Sequence, residues 1–146
     1  LSGFSQNNSV QVTQLKSDDF TFEGLNIRNT PLAAYTANNT DSVYMIFLFS
    51  YTCPHCTNSI ENLKQYTTDN YVQNIIAIGT GNEADKISFY DSYDVNFKHF
   101  DITKDAMQKL SKKFPVAYFV VNDTIKKRWI GMLPTHQNLQ KMKFLE

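Results

Sequence analysis

Apolar residues in this chain come in two rhythms. Between Val43 and Phe49 the run VYMIFLF is apolar at every position, which predicts a strand over Val43–Ser50 that is central in its sheet and covered on both faces. VQNIIAI (Val72–Ile78, closed by GTGN) and VAYFVV (Val116–Val121) read the same way. Phe97–Phe100 is a short, weaker strand. After the turn residues Asn122, Asp123 and Thr124, Ile125–Ile130 returns as the second arm of a hairpin. Nearer the start, VQVTQL and FTFEGLNI alternate between Val10 and Ile27. They predict one or two N-terminal strands, with Gly24 and Asn26 near a turn. Helical spacing takes over after the first strong strand. Cys56, Ile60, Leu63 and Thr67 share one face, which predicts a helix from Pro54 to about Tyr66, and Thr67–Asn70 break it. Pro54 fits the first helical turn, where its missing N–H costs nothing. Glu83–Ser92 is compatible with a helix. Thr103 is an N-cap for KDAMQKLSKKF, in which Met107, Leu110 and Phe114 are in register until Pro115 interrupts. Pro134 and Thr135 open a last helix to about Leu145. TANNTDS (Thr36–Ser42) is a loop by composition, and LSGFSQNNS is polar and frayed.

The order of elements is strands, then strand–helix–strand–helix–strand–helix, then a hairpin and a final helix. This is an α/β domain with a mixed sheet and helices on both faces. At 146 residues the chain forms one domain, with residues 1–20 as a frayed end or an N-terminal extension. Fourteen basic and fourteen acidic residues give zero formal net charge, so no electrostatic footprint points to nucleic acid or to an anionic membrane. The longest dense apolar run is far too short to span a bilayer. No signal peptide is visible, and the chain begins at Leu1. It reads as a processed protein or an expressed fragment whose membrane tether, if it has one, lies outside this sequence.

The chemistry is concentrated where the strongest strand ends, in SYTCPHC. The only two cysteines, Cys53 and Cys56, flank Pro54 and His55. A C-x-x-C pair is redox-active or metal-binding. A thiolate is the nucleophile in disulfide exchange, and the unpaired N–H groups and positive dipole end of a helix favour that anion. Cys53 is therefore expected at the helix mouth as the attacking sulfur. Cys56, one turn on and facing the core, is expected to be buried, less acidic and resolving. Pro54 shapes the turn, and His55 adds a donor and partial positive charge beside Cys53, so both tune the redox balance. The chemistry requires no metal or organic cofactor. A structural zinc site normally needs four ligands, and beyond this pair only His99 and His136 stand isolated. A purely stabilising disulfide would close too small a loop to remove much unfolded-state entropy.

The apolar strand, CPHC and helix, followed late in the chain by FPVAYFVVNDTIKKRWIG, resemble the thioredoxin fold. The long stretch between Cys56 and Pro115, which contains GTGNEADKISFYDSYDVNF, resembles the TlpA/ResA-like thiol–disulfide oxidoreductases. That branch is related to the AhpC/TSA peroxiredoxins and carries extra N-terminal strands and a central strand–helix insert. The resemblance covers roughly Thr21–Leu145. It implies a cis Phe114–Pro115 bond, with Phe114, Pro115 and Val116 contacting substrate. It also implies cysteine-containing protein substrates, a redox partner protein and an extracytoplasmic location in the periplasm or cell envelope. DsbA-type oxidases also use CPHC, but their large helical insert has no counterpart here.

The chain departs from these families in ways that matter. Phe47 stands where thioredoxin has a buried aspartate, and Ser59 where the ResA-like branch has a glutamate, so no general base for Cys56 is assigned. A peroxiredoxin-like peroxidase would need a proline and a threonine at positions occupied by Ile46 and Ser50. A non-catalytic binding module of a larger, membrane-tethered protein would need no thiols. Tyr51 and Thr52 are expected at the lip of the site, Trp129 in packing, and the LSKKF and IKKRW charges on solvated faces.

Overall fold

The computed structural model describes residues 21–142. Its frame is a five-stranded mixed sheet built from β1 (Val43–Ser50), β2 (Asn74–Thr80), β3 (Lys98–Ile102), β4 (Val116–Val121) and β5 (Thr124–Ile130), in the spatial order β3-β2-β1-β4-β5. The first three strands run parallel; β4 pairs antiparallel with β1, and β5 pairs antiparallel with β4. The helices are α1 (Ala33–Thr36), α2 (Cys56–Thr68), α3 (Glu83–Ser92), α4 (Lys104–Gln108) and α5 (His136–Lys141).

The unbroken apolar reading of β1 has a direct cause. Met45, Phe47 and Phe49 face one core, packed against Cys56, Ile60 and Leu63 of α2, Phe89 of α3 and Leu139 of α5. Tyr44, Ile46 and Leu48 face a second core with Ile27, Leu32, Met107 and Leu110. Because side chains alternate across a strand, a strand with a core on each side must be apolar throughout. β2 and β4 follow the same logic, with Ala77, Ala117 and Phe119 on the first face and Ile76, Tyr118 and Val120 on the second.

Two expectations need correction, and a third reaches past the described residues. Of the N-terminal strand pieces, VQVTQL lies outside the described residues, and the described part of FTFEGLNI is no strand. Phe22 and Gly24 have φ of 54° and 84°, which breaks the extended path before the single bridge Asn26–Thr124 and the 3-10 turn Ile27–Asn29. The alternation there serves to lap residues 24–27 along β5, through Gly24 N–H to Ile125 C=O (2.8 Å) and Ile27 N–H to Asp123 C=O (2.7 Å). The helix after Thr103 stops at Gln108 instead of reaching Phe114. Ser111 Oγ donates to Lys113 C=O (2.8 Å) and accepts from Lys113 N–H (3.2 Å), a local bonding pattern that competes with helix. The last helix runs His136–Lys141, and the expected stretch beyond residue 142 lies outside the described residues. The caps at Thr103 and Thr135 form as expected, each accepting a backbone N–H in the first turn. The insert between β2 and β4 supplies α3, the edge strand β3 and α4.

Candidate functional site: a cysteine pair where the central strand ends

β1 ends at Ser50, and the chain turns at once: Cys53 N–H donates to Ser50 C=O (3.0 Å) and Tyr51 N–H to Thr80 C=O (3.1 Å). A second tight turn follows, closed by Cys56 N–H on Cys53 C=O (3.2 Å). This i→i+3 bond winds the entry of α2, so the regular helix starts at Cys56 with His55 as its cap, two residues later than the proline placement predicts. A residue before proline is disfavoured in helical conformation, which keeps Cys53 outside the helix. Cys53 therefore stands just before the N-terminal end of α2. The first turn of α2 holds no acidic residue and His55 makes no side-chain cap bond, whereas α3, α4 and α5 are capped by Asn82, Thr103 and Thr135. Among the described side chains, none caps or carries a negative charge in the helix mouth beside the cysteine turn.

The two sulfurs differ sharply in environment. Cys53 is half-buried, while Cys56 is fully buried, and both are free thiols. They are close enough for Cys53 to act on the Cys56 thiol. Burial pushes the Cys56 thiol well above its ordinary range, and the neighbouring Cys53 adds to the shift. No carboxylate acts on it. Phe47 is fully buried and stacks on Phe49 with ring centroids 5.2 Å apart, so the floor beneath the pair is hydrocarbon. Ser59 is buried, and its hydroxyl donates back to His55 C=O at 3.3 Å. Pro54 and His55 are exposed on the turn between the sulfurs.

The other predicted residues converge from β4. The Phe114–Pro115 bond is cis. In the antiparallel register Val116 pairs with Leu48, which sets Pro115 at the end of β1 from which the cysteine turn departs. Pro115 is buried, and its C=O accepts from Gly131 N–H at 2.8 Å. Val116 is fully buried in the second core, so only its main chain is available to a partner. Phe114 is half-buried and lines a groove with Ser50 and Thr80.

A network of residues distant in sequence braces the lip. The Tyr51 hydroxyl donates to Asp101 Oδ1 at 2.8 Å, and Lys86 Nζ lies 3.5 Å from Asp101 Oδ2. The Tyr51 ring rests on two glycines. A Cβ at Gly79 would lie 2.7 Å from Tyr51 Cε1, and one at Gly81 2.8 Å from Tyr51 Cδ2. Tyr51 was expected at an exposed lip, and instead it is buried. The two glycines of GTGN were the available signal, since they mark a close approach without saying to what. Trp129 packs on Phe119 as expected. His99 lies against Tyr90, and His136 lies 3.8 Å from Asp69. Neither reaches the cysteines. Among the described residues no cluster of three or more His, Cys, Asp or Glu is placed to hold a metal ion.

A cysteine pair at the end of a central strand, a helix leaving from it, and a cis-proline at the start of the adjacent antiparallel strand together define one architecture. The chain has a thioredoxin-like fold. No family model and no curated protein matches the sequence, but solved structures match the shape. One is described as a thiol:disulfide interchange protein, DsbE, of Chlorobium tepidum. It has TM-score 0.63 and 16% identity, with 75% of this chain and 82% of that one covered. A second is a secreted disulfide oxidoreductase of Mycobacterium tuberculosis homologous to E. coli DsbE, with TM-score 0.56, 16% identity and coverage of 68% and 78%. StoA of Bacillus subtilis is a third, with TM-score 0.59, 14% identity and coverage of 72% and 84%. At these identities the likeness is one of thioredoxin-like fold. Among the described residues no helix is long and apolar enough to cross a membrane.

Proposed function

We propose that this thioredoxin-like chain is a protein-disulfide oxidoreductase that exchanges disulfides with cysteine-containing protein partners through Cys53 and Cys56. The observation that carries the reading is the asymmetry of the pair: adjacent sulfurs, one half-exposed at an uncompensated helix mouth and one fully buried behind it. The Cys53 thiolate attacks one sulfur of a partner disulfide. A Cys53–partner disulfide forms, and the other partner sulfur leaves as a thiolate. Cys56 then loses its proton and attacks the Cys53 sulfur, releasing the second partner thiol and leaving the Cys53–Cys56 disulfide. Two electrons pass from the pair to the partner. The same steps reversed oxidise a dithiol, and a redox partner protein resets the pair. Pro54 and His55 tune the balance. Phe114 and Pro115, with the main chain of Val116, align the partner's extended segment beside Cys53. An extracytoplasmic location belongs to the same reading, and the resemblance to TlpA/ResA-like proteins is what supports it.

The test is insulin-disulfide reduction with dithiothreitol. Cys53→Ser is expected to fall to the uncatalysed rate. Cys56→Ser is expected to accumulate a mixed disulfide visible as a mass increase on the intact protein. A Cys53→Ser variant that matches wild type would sink the reading and favour a binding module that has merely kept the fold.

A further inference from the structure

Two of the grooves beside the redox turn are of opposite character. One opens beyond the carboxyl ends of the parallel strands β1 and β2, at Ser50 and Thr80, where open α/β sheets bind their ligands. Its volume is about 500 Å³. Phe114 supplies apolar surface over the buried Met107, and Lys104 and Lys112 stand at the groove's margin. No carboxylate lines it, and among the described residues neither lysine makes an ion pair. The groove is continuous with the candidate site, because Ser50 closes the redox turn and Phe114 precedes Pro115. The other groove lies between Cys53 and α3. Its volume is about 260 Å³, its one charged lining residue is Asp85, and Ser88 and Ser92 add hydroxyls. Charge thus changes sign across the half-exposed sulfur.

We propose that the groove between the strand ends and α4 receives the segment flanking the partner's reactive cysteine, and that it selects a flank combining an apolar side chain with acidic residues. This deepens the proposed exchange function and rests on it. The apolar side chain would lie on Phe114, and its acidic neighbours would pair with Lys104 and Lys112. Asp85 repels an acidic flank from the opposite groove, so the charges also set which way the segment runs past Cys53. Two partly exposed charge pairs together amount to roughly a fivefold preference at low salt, fading as salt screens them.

The test uses peptides with one cysteine held as a mixed disulfide with 2-mercaptoethanol. Leu-Asp-Asp, Leu-Ser-Ser or Leu-Lys-Lys is placed on the amino side or on the carboxyl side. Uncharged bis(2-hydroxyethyl) disulfide runs alongside. The expected result is that, in one of the two placements, the acidic peptide reacts about fivefold faster than the lysine peptide. Lys104→Glu/Lys112→Glu should invert that ratio. Exchange with the hydroxyethyl disulfide but equal rates for acidic and lysine peptides would overturn the groove assignment and leave the exchange function standing. A preference for leucine that ignores charge would likewise overturn the assignment. No exchange with any of these disulfides would overturn both.

Discussion

His55 is the one side chain between the two sulfurs that can carry charge, and it is exposed. In the proposed exchange reaction, a donor there would support a thiolate on Cys53, and with it the reduced form of the pair. In His55→Gly that support is lost, so the disulfide becomes harder to reduce. The expected change is on the order of 30 mV toward more negative potential, measured by equilibration against glutathione. An unchanged or more oxidising potential would remove this role for His55. The difference between the cysteines was legible at this scale, because i and i+3 positions ahead of a helix put one sulfur outside and one on the core face. The identity of the core beneath them was legible as well, since Phe47 and Ser59 are read directly from the sequence. The burial of Tyr51 was not, because its partner Asp101 stands fifty positions away and no local pattern links them.

At the level of elements, the ends of β1 and β2 are locked by the fit of Tyr51 over glycine. Gly79 lies in β2, and a methyl group there would meet Tyr51 Cε1 at 2.7 Å and Phe49 Cζ at 2.8 Å. Gly79→Ala is expected to destabilise the fold by about 1–3 kcal/mol, because both rings are held in a packed aromatic cluster with Phe89. The urea midpoint would report this, and an unshifted midpoint would show that the rings can yield. Long central strands were easy to read because cores on both faces leave no polar position in them. Segments that lean on one neighbour were harder. Residues 24–27 alternate like a strand yet only lap the edge of β5, and residues 109–114 keep helical spacing while Ser111 redirects the backbone. In each case a hydrogen bond or a backbone twist overrode a pattern that apolar contacts alone would have satisfied.

The molecule as a whole buries an unusual set of phenols. Tyr44, Tyr90 and Tyr118 are pushed up to about 12, chiefly by burial, and burial also raises Tyr51 and Tyr66. An unfolded tyrosine titrates near ~10. The folded state thus holds these protons more tightly than the unfolded state does. The stability this contributes is complete below about pH 10 and is lost as pH rises from there through the folded values. Urea midpoints followed by circular dichroism should fall steeply above about pH 10, together with tyrosinate absorbance. A midpoint that stays level well into that range would contradict the burial of these rings. The stacked rings of Phe47 and Phe49 carry a different consequence for the same core. With hydrocarbon below the cysteines, no carboxylate among the described residues acts on the buried sulfur of Cys56. If the pair exchanges disulfides as proposed, the proton that leaves the buried sulfur has no acidic side chain beneath it to receive it and departs toward the face where the partner docks.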